Sequence, residues 1–181
     1  MPLSSNILAL LNIQYQHEKY NEHRYLVRSS LADFYGLTGI AKFLRNQADG
    51  ERDHAMKVFE YIADRNEKIG NTQVEFDSPP EDNMLDILKG ILKIEQDTTA
   101  KLNNLYMQAN AEGDFMTASW LLTGLIPEQI EEESISQTII DRYNSRLNIN
   151  TLTGNENITM ASEVGAALHD IDSWIDEKYN G

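Results

Sequence analysis

The chain contains no cysteine, which excludes a disulfide framework, a thiolate nucleophile and cysteine-held zinc or iron–sulfur groups. Long hydrophobic runs are missing as well. No stretch approaches the roughly 20 apolar residues of a membrane-spanning helix, and the N-terminus has no basic region leading into an apolar one. The expectation is a cytoplasmic protein with no membrane partner. Proline is scarce, four in 181 residues, so little interrupts regular structure, and the ten glycines gather in a few places where turns belong. Basic residues are outnumbered, fifteen against twenty-nine acidic ones, giving a formal charge of −14 at pH 7. So acidic a surface repels phosphate backbones, which argues against nucleic acid as a partner, and it attracts cations. Charge of this kind also serves simply to keep a protein dissolved.

Helix formers fill what remains. Leu, Ala, Glu, Lys, Gln and Met recur in long runs, and the length suits one domain, residues 1–181, with a sizeable core. The spacing predicts an all-α chain. A first helix over 5–33 places Ile7, Leu11, Tyr15, Glu18, Glu22, Tyr25, Ser29 and Ala32 on one face. Gly36 and Gly39 mark a short turn before a second helix over 38–66, with Ile40, Leu44, Ala48, Glu51, His54, Ala55, Val58 and Ile62 in line. Residues 67–80, with Gly70 and Pro79-Pro80, read as a long connection. A third helix opens near Pro80-Glu81-Asp82 and carries Met84, Leu88, Ile91, Glu95, Thr98, Leu102, Leu105 and Ala109. After a turn at Glu112-Gly113-Asp114, a fourth runs to Leu147 through Ala118, Leu121, Leu125, Gln129, Glu132, Ile135, Ile139 and Tyr143. Pro127 predicts a kink or bulge inside it. A loop over 148–160 precedes a short helix over 161–178. Connections that run short, long, short describe two antiparallel hairpins joined by a crossover, a four-helix bundle with a fifth helix appended.

Each of the four stripes turns polar near its middle. Glu51-Arg52-Asp53-His54 sets a carboxylate and an imidazole three residues apart, on one helical face, where both can hold a single metal ion. Alone that pair is a weak signal. On its own, a glutamate on an apolar stripe is ordinarily an edge residue in contact with water, and a histidine a satisfied core or surface one. Position makes the difference. Glu18 and Glu51 each lie about 16 residues from the first turn, Glu95 about 17 from the second, and Gln129 and Glu132 about 16 and 20. All fall at one level of the bundle. Buried carboxylates without partners cost several kcal/mol or take up protons. No Lys or Arg stands nearby on these stripes, so di- or trivalent cations would satisfy them, and carboxylate and imidazole ligands suit iron or manganese. His17, Glu22 and His23 have no partner at matched height and read as flanking surface or edge groups.

The segments His17-Glu18-Lys19-Tyr20, Phe43-Leu44-Arg45, Glu51 to Met56, Ile94-Glu95-Gln96 and Glu128 to Glu133 resemble those of bacterial non-haem ferritins over essentially the whole chain. That resemblance implies a ferritin-like bundle in which Glu18, Glu51 and His54 bind one iron and Glu51 bridges to a second held by Glu95 and Glu132. It also implies that Tyr25 is a hydrogen-bond donor and electron source beside the centre, and that Gln129 lies near the second iron. The activity implied is ferroxidase, oxidising Fe²⁺ with O₂ and storing the ferric product inside a shell of about 24 copies. Bacterioferritins repeat Glu-x-x-His on the fourth helix, where this chain ends in Glu132, and Arg52 stands in place of their haem-ligating methionine, so no haem is expected. The family often has a third iron site. Glu128 and Glu131 would contribute to it, but Gly50 replaces another ligand, so that site is lost, weakened or rebuilt. Two other readings compete: a ferritin-like di-iron or manganese oxidoreductase that forms no cage, and a metal-free helical interaction protein.

Overall fold

The structure, a computed structural model, describes residues 2–70, 83–152 and 160–180, with the backbone alone for 148–152 and 160–163. Among the described residues six helices follow in order: α1 (Ser5–Phe34), α2 (Thr38–Asp64), α3 (Met84–Ala111), α4 (Phe115–Thr123), α5 (Leu125–Leu152) and α6 (Met160–Tyr179). Helix α1 packs along α2, and α3 packs against α4 and α5, while α1 and α3 join the two pairs. This is the four-helix bundle expected, with α4 and α5 together forming the fourth limb. Among the described residues no helix is long and apolar enough to cross a membrane.

Local chemistry sets the helix ends. Ser4, Asn83 and Asp114 each accept the backbone N–H three residues on, capping α1, α3 and α4. Helix α1 closes on Gly36 (φ 74°), with the Leu37 amide reaching Ala32 and the Gly36 amide reaching Asp33. Gly113 (φ 74°) ends α3 through the same pair of bonds to Ala109 and Asn110. Asn66 does likewise for α2 at φ 59°. The second helix therefore stops at Asp64, slightly short of the expected end.

The fourth helix differs from its expected form. A helical residue 127 would donate to the carbonyl of residue 123, but proline has no N–H and its ring crowds that carbonyl. The chain breaks upstream, at Gly124 (φ −118°, ψ −97°), and Pro127 falls in the first turn of α5, where no donor is needed. The disturbance expected at Pro127 is thus a break at Gly124. Helix α5 also continues in backbone to Leu152, through part of the segment read as a loop, and α6 begins at Met160. The rest of that loop, most of the long crossover and the expected opening of the third helix at Pro80-Glu81-Asp82 lie outside the described residues.

Helix α6 docks on α2 and α5. Leu37 offers α2 no side-chain cap, and Asp172 of α6 supplies one by accepting the Ile40 amide at 2.7 Å. The approach needs glycine at position 39, because a Cβ there would lie 2.3 Å from the Asp172 carbonyl oxygen. Asn180 completes the joint, donating to Gly39 O at 2.9 Å and accepting from Lys42 at 2.6 Å.

The core falls into two apolar clusters. One holds Leu3, Ile7, Leu11, Val58, Ile62, Leu102, Leu105, Ala109, Ala118, Leu121 and Leu125. The other is built around Tyr25, Ile40, Leu44, Ile87, Ile91, Ile139, Tyr143 and Ile171. Between the two, every limb of the bundle buries polar side chains, with Ala55 of α2 the apolar neighbour among them.

Candidate metal centre

That polar layer contains Gln14, Glu18 and Asn21 of α1, Glu51 and His54 of α2, Glu95 and Thr98 of α3, and Gln129 of α5, all buried. Glu132 joins them with its side chain 20% exposed. Glu18, Glu51 and His54 each bring a donor atom within 4.8 Å of one another. The one-turn spacing of Glu51 and His54 sets Nδ1 3.5 Å from Glu51 Oε2. On the far side, Gln129 Nε2 donates to Glu95 Oε2 at 3.4 Å and to Glu132 Oε2, and Tyr25 OH donates to Glu95 Oε1. Glu132 Oε1 lies 3.9 Å from His54 Nε2, which brings the two halves together.

Electrostatics match this crowding. Burial, then the charge of Glu51, pushes the Glu18 carboxyl well above the usual range, and burial, then Glu95, does the same to Glu51. Burial also raises Glu95, against the hydrogen bonds from Tyr25 and Gln129. Glu132 is raised to about 7 by burial and the charge of Glu95. Burial and the Glu95 charge push the Tyr25 phenol up well above its ordinary value. Two carboxylate oxygens, Glu18 Oε2 and Glu51 Oε2, are buried with no hydrogen-bond partner among the described residues. Orphaned acceptors of this kind cost free energy unless a cation or proton meets them. Hard oxygen donors with one imidazole make a set suited to iron or manganese.

Several neighbours escape a reading by hydropathy. Gln14 Nε2 donates to Glu18 Oε1 at 2.6 Å, fixing one oxygen of that carboxylate and leaving the other free. His17 is no surface group: its Nε2 meets Thr98 Oγ1 at 2.9 Å, and burial, with the charges of Lys101 and Arg24, lowers its pKa to about 3. Asn21 donates to the same Thr98 oxygen at 3.1 Å. Glu22 does behave as an edge residue, paired with Lys19 and, at 2.9 Å, with Arg52. Arg28, absent from the predicted stripe, is fully buried one turn beyond Tyr25 and donates to Arg24 O. A cation therefore does stand on the inward face of α1, though away from the carboxylate layer.

The residues implied for a third site separate. Glu128 Oε2 lies 2.8 Å from His54 Nε2, and both Glu128 oxygens accept from Lys57 at 2.8 and 2.9 Å. Burial raises the Glu128 carboxyl, but Lys57 and His54 outweigh it and hold the pKa below the usual value. Glu131 is exposed, and nothing lies within 4 Å of where a Gly50 side chain would begin.

Comparison with known proteins was made against this geometry. A family profile described as the ferritin-like domain matches residues 8–145. The bacterial non-heme ferritin of Staphylococcus saprophyticus is 34% identical over 142 residues, covering 78% of this chain and 84% of the relative. That of Staphylococcus epidermidis is 36% identical over 144 residues, covering 77% and 83%. Among solved structures, an open pore ferritin from the archaeon Archaeoglobus fulgidus superposes with a TM-score of 0.80 at 27% identity, covering 96% of this chain and 97% of that one.

Proposed function

Because this chain belongs to the ferritin family, we propose that it stores iron, and that it oxidises Fe²⁺ with O₂ at a di-iron site inside each single-domain subunit. The observation that carries this reading is the buried layer of Glu18, Glu51, His54, Glu95 and Glu132, two of whose carboxylate oxygens have no hydrogen-bond partner. Iron is the substrate. Glu18, Glu51 and His54 would hold one Fe²⁺, and Glu95 and Glu132 a second, with Glu51 between them. Each ion gives up one electron to O₂.

The surrounding residues prepare the site. Gln14 and Gln129 are amide donors that hold Glu18, Glu95 and Glu132 by one oxygen each. Tyr25 does the same for Glu95 and is the donor nearest the site able to supply a further electron. Burial raises the pKa of these carboxyls, so cations entering compete with protons for them. The ferric product would pass into a hollow shell of about 24 copies in the cytoplasm, and the charge of −14 per chain would draw Fe²⁺ toward it. Haem has no part in this reading.

Stopped-flow mixing of the metal-free protein with Fe²⁺ in aerated buffer tests it. Fast ferric absorbance with matching O₂ consumption is expected, lost in Glu51→Ala. An unchanged rate in that variant, or no oxidation faster than buffer, removes the ferroxidase reading. Light scattering measures the shell.

A further inference from the structure

His54 has two ring nitrogens with different neighbours. Nδ1 faces Glu51 Oε2, the carboxylate oxygen that lacks a hydrogen-bond partner, at 3.5 Å. Nε2 faces Glu128 Oε2 at 2.8 Å across the bundle. Glu128 is in turn gripped by Lys57, one turn beyond His54 on α2, through both oxygens at 2.8 and 2.9 Å. We propose that Lys57 and Glu128 form a positioning pair that holds the Nε2 edge of the His54 imidazole and so turns Nδ1 toward the cation position beside Glu18 and Glu51.

The argument is one of donors and acceptors. An ammonium only donates and a carboxylate only accepts, so an oxygen of Glu128 that meets Nε2 requires an N–H there. With Nε2–H held there, Nδ1 is the ring nitrogen open to a metal ion. Glu132 Oε1, 3.9 Å from Nε2, is too distant for a hydrogen bond but acts in the same sense. Glu128 cannot do this unaided. Its side chain is 43% exposed, and a free carboxylate at that edge would swing into water, away from the buried acids. The Lys57 ammonium pins it by both oxygens and offsets its charge where other carboxylates crowd. Lys57 thereby acts on the metal site through two intervening groups without touching it. The spacing supports this, because His54 and Lys57 share a face of α2 and one carboxylate from the first turn of α5 bridges them.

This inference rests on His54 being a ligand, as in the proposed function, and the test separates the two. In ¹⁵N spectra of histidine-labelled, metal-free protein, with His54 assigned by its loss in His54→Gln, the wild type is expected to show an Nε2–H that exchanges slowly with water. Lys57→Met should speed that exchange and weaken Co²⁺ binding about tenfold, the lower end for loss of a partner behind a ligand. Lys57→Arg, which keeps the charge and the donors, should restore both. Unchanged exchange or unchanged affinity in Lys57→Met overturns the proposal, as does a Lys57→Arg variant as impaired as Lys57→Met. If the wild type shows no Co²⁺ absorption band that depends on Glu51, the metal-site reading fails, and the metal-free spectra still decide whether Lys57 and Glu128 hold Nε2.

Discussion

Glu18 and Glu51 face each other inside a bundle whose apolar layers exclude water, an arrangement that opposes folding until a cation arrives. Replacing one of them with its amide should expose that opposition. Glu51→Gln is expected to raise the melting temperature of the metal-free protein at pH 8 and to abolish the further rise that saturating Zn²⁺ gives the wild type, both read by calorimetry. A lower melting temperature in metal-free Glu51→Gln would mean that the carboxylate is satisfied without metal. The same groups set the pH response. Carboxyls whose pKa is raised on folding bind more protons in the folded state than in the unfolded one, so their contribution is intact below the unfolded value and lost as pH rises through the folded one. For Glu132 that window runs from about 4.5 to about 7. Metal-free protein should therefore melt progressively lower as pH rises through 7, while Zn²⁺-saturated protein should not. His17 works in the opposite sense: its pKa falls to about 3 in the fold, so its contribution is present above about 6.5 and fades as pH falls. The buried carboxylates could be read from the sequence because they break an apolar stripe. Their supports could not. Gln14, Asn21 and Arg28 occupy the buried face of α1 where the spacing pointed to Tyr15 and Glu22, since hydropathy ranks an inward amide no differently from a surface one.

At the scale of helices, what the sequence reveals depends on how local the cause is. Turns at Gly36 and Gly113 were legible because left-handed backbone calls for glycine within the turn itself. Pro127 announced a disturbance, yet its missing donor acts on the preceding turn, and the break moved to Gly124. The docking of α6 was hidden altogether, because the cap on α2 comes from Asp172, far along the chain. That joint is testable. Asp172→Ala should destabilise the protein by about 1 kcal/mol, the usual worth of a helix N-cap. Hydrogen exchange should report it most clearly in the first turn of α2 and along α6. Asp172→Asn, which keeps an acceptor oxygen, should recover most of the loss. Gly39→Ala should be the more severe change, since the clash is with backbone that cannot rotate away. If Asp172→Ala leaves exchange in α6 unchanged, the packing of Ile171 and Ile175 and the other contacts of α6, such as those of Asn180 and Asp170, suffice to hold that helix.

The whole molecule carries two opposing tendencies toward assembly. Each chain bears a formal charge of −14, so bringing copies together is resisted over the screening distance of roughly 8 Å at physiological salt. Against this stand large apolar side chains that the single chain leaves in water. Phe115 and Met116, adjacent at the start of α4, are 70% and 66% exposed. Met107, near the end of α3, lies on the other side of the same short turn and is exposed too. Burying a side chain of this size between copies contributes about 1.5–3 kcal/mol, and a closed symmetric shell repeats the gain at every equivalent contact. A Phe115→Asp/Met116→Asp double variant removes that gain and adds like charge. It should keep the helix content and Co²⁺ binding of the wild type, because neither residue touches the polar layer, yet scatter light as a species several-fold smaller. Raising salt should partly restore the larger form by screening the added carboxylates. A double variant of wild-type size at low salt would mean that this turn faces solvent in the assembled protein, and that contacts elsewhere on the chain hold the copies together.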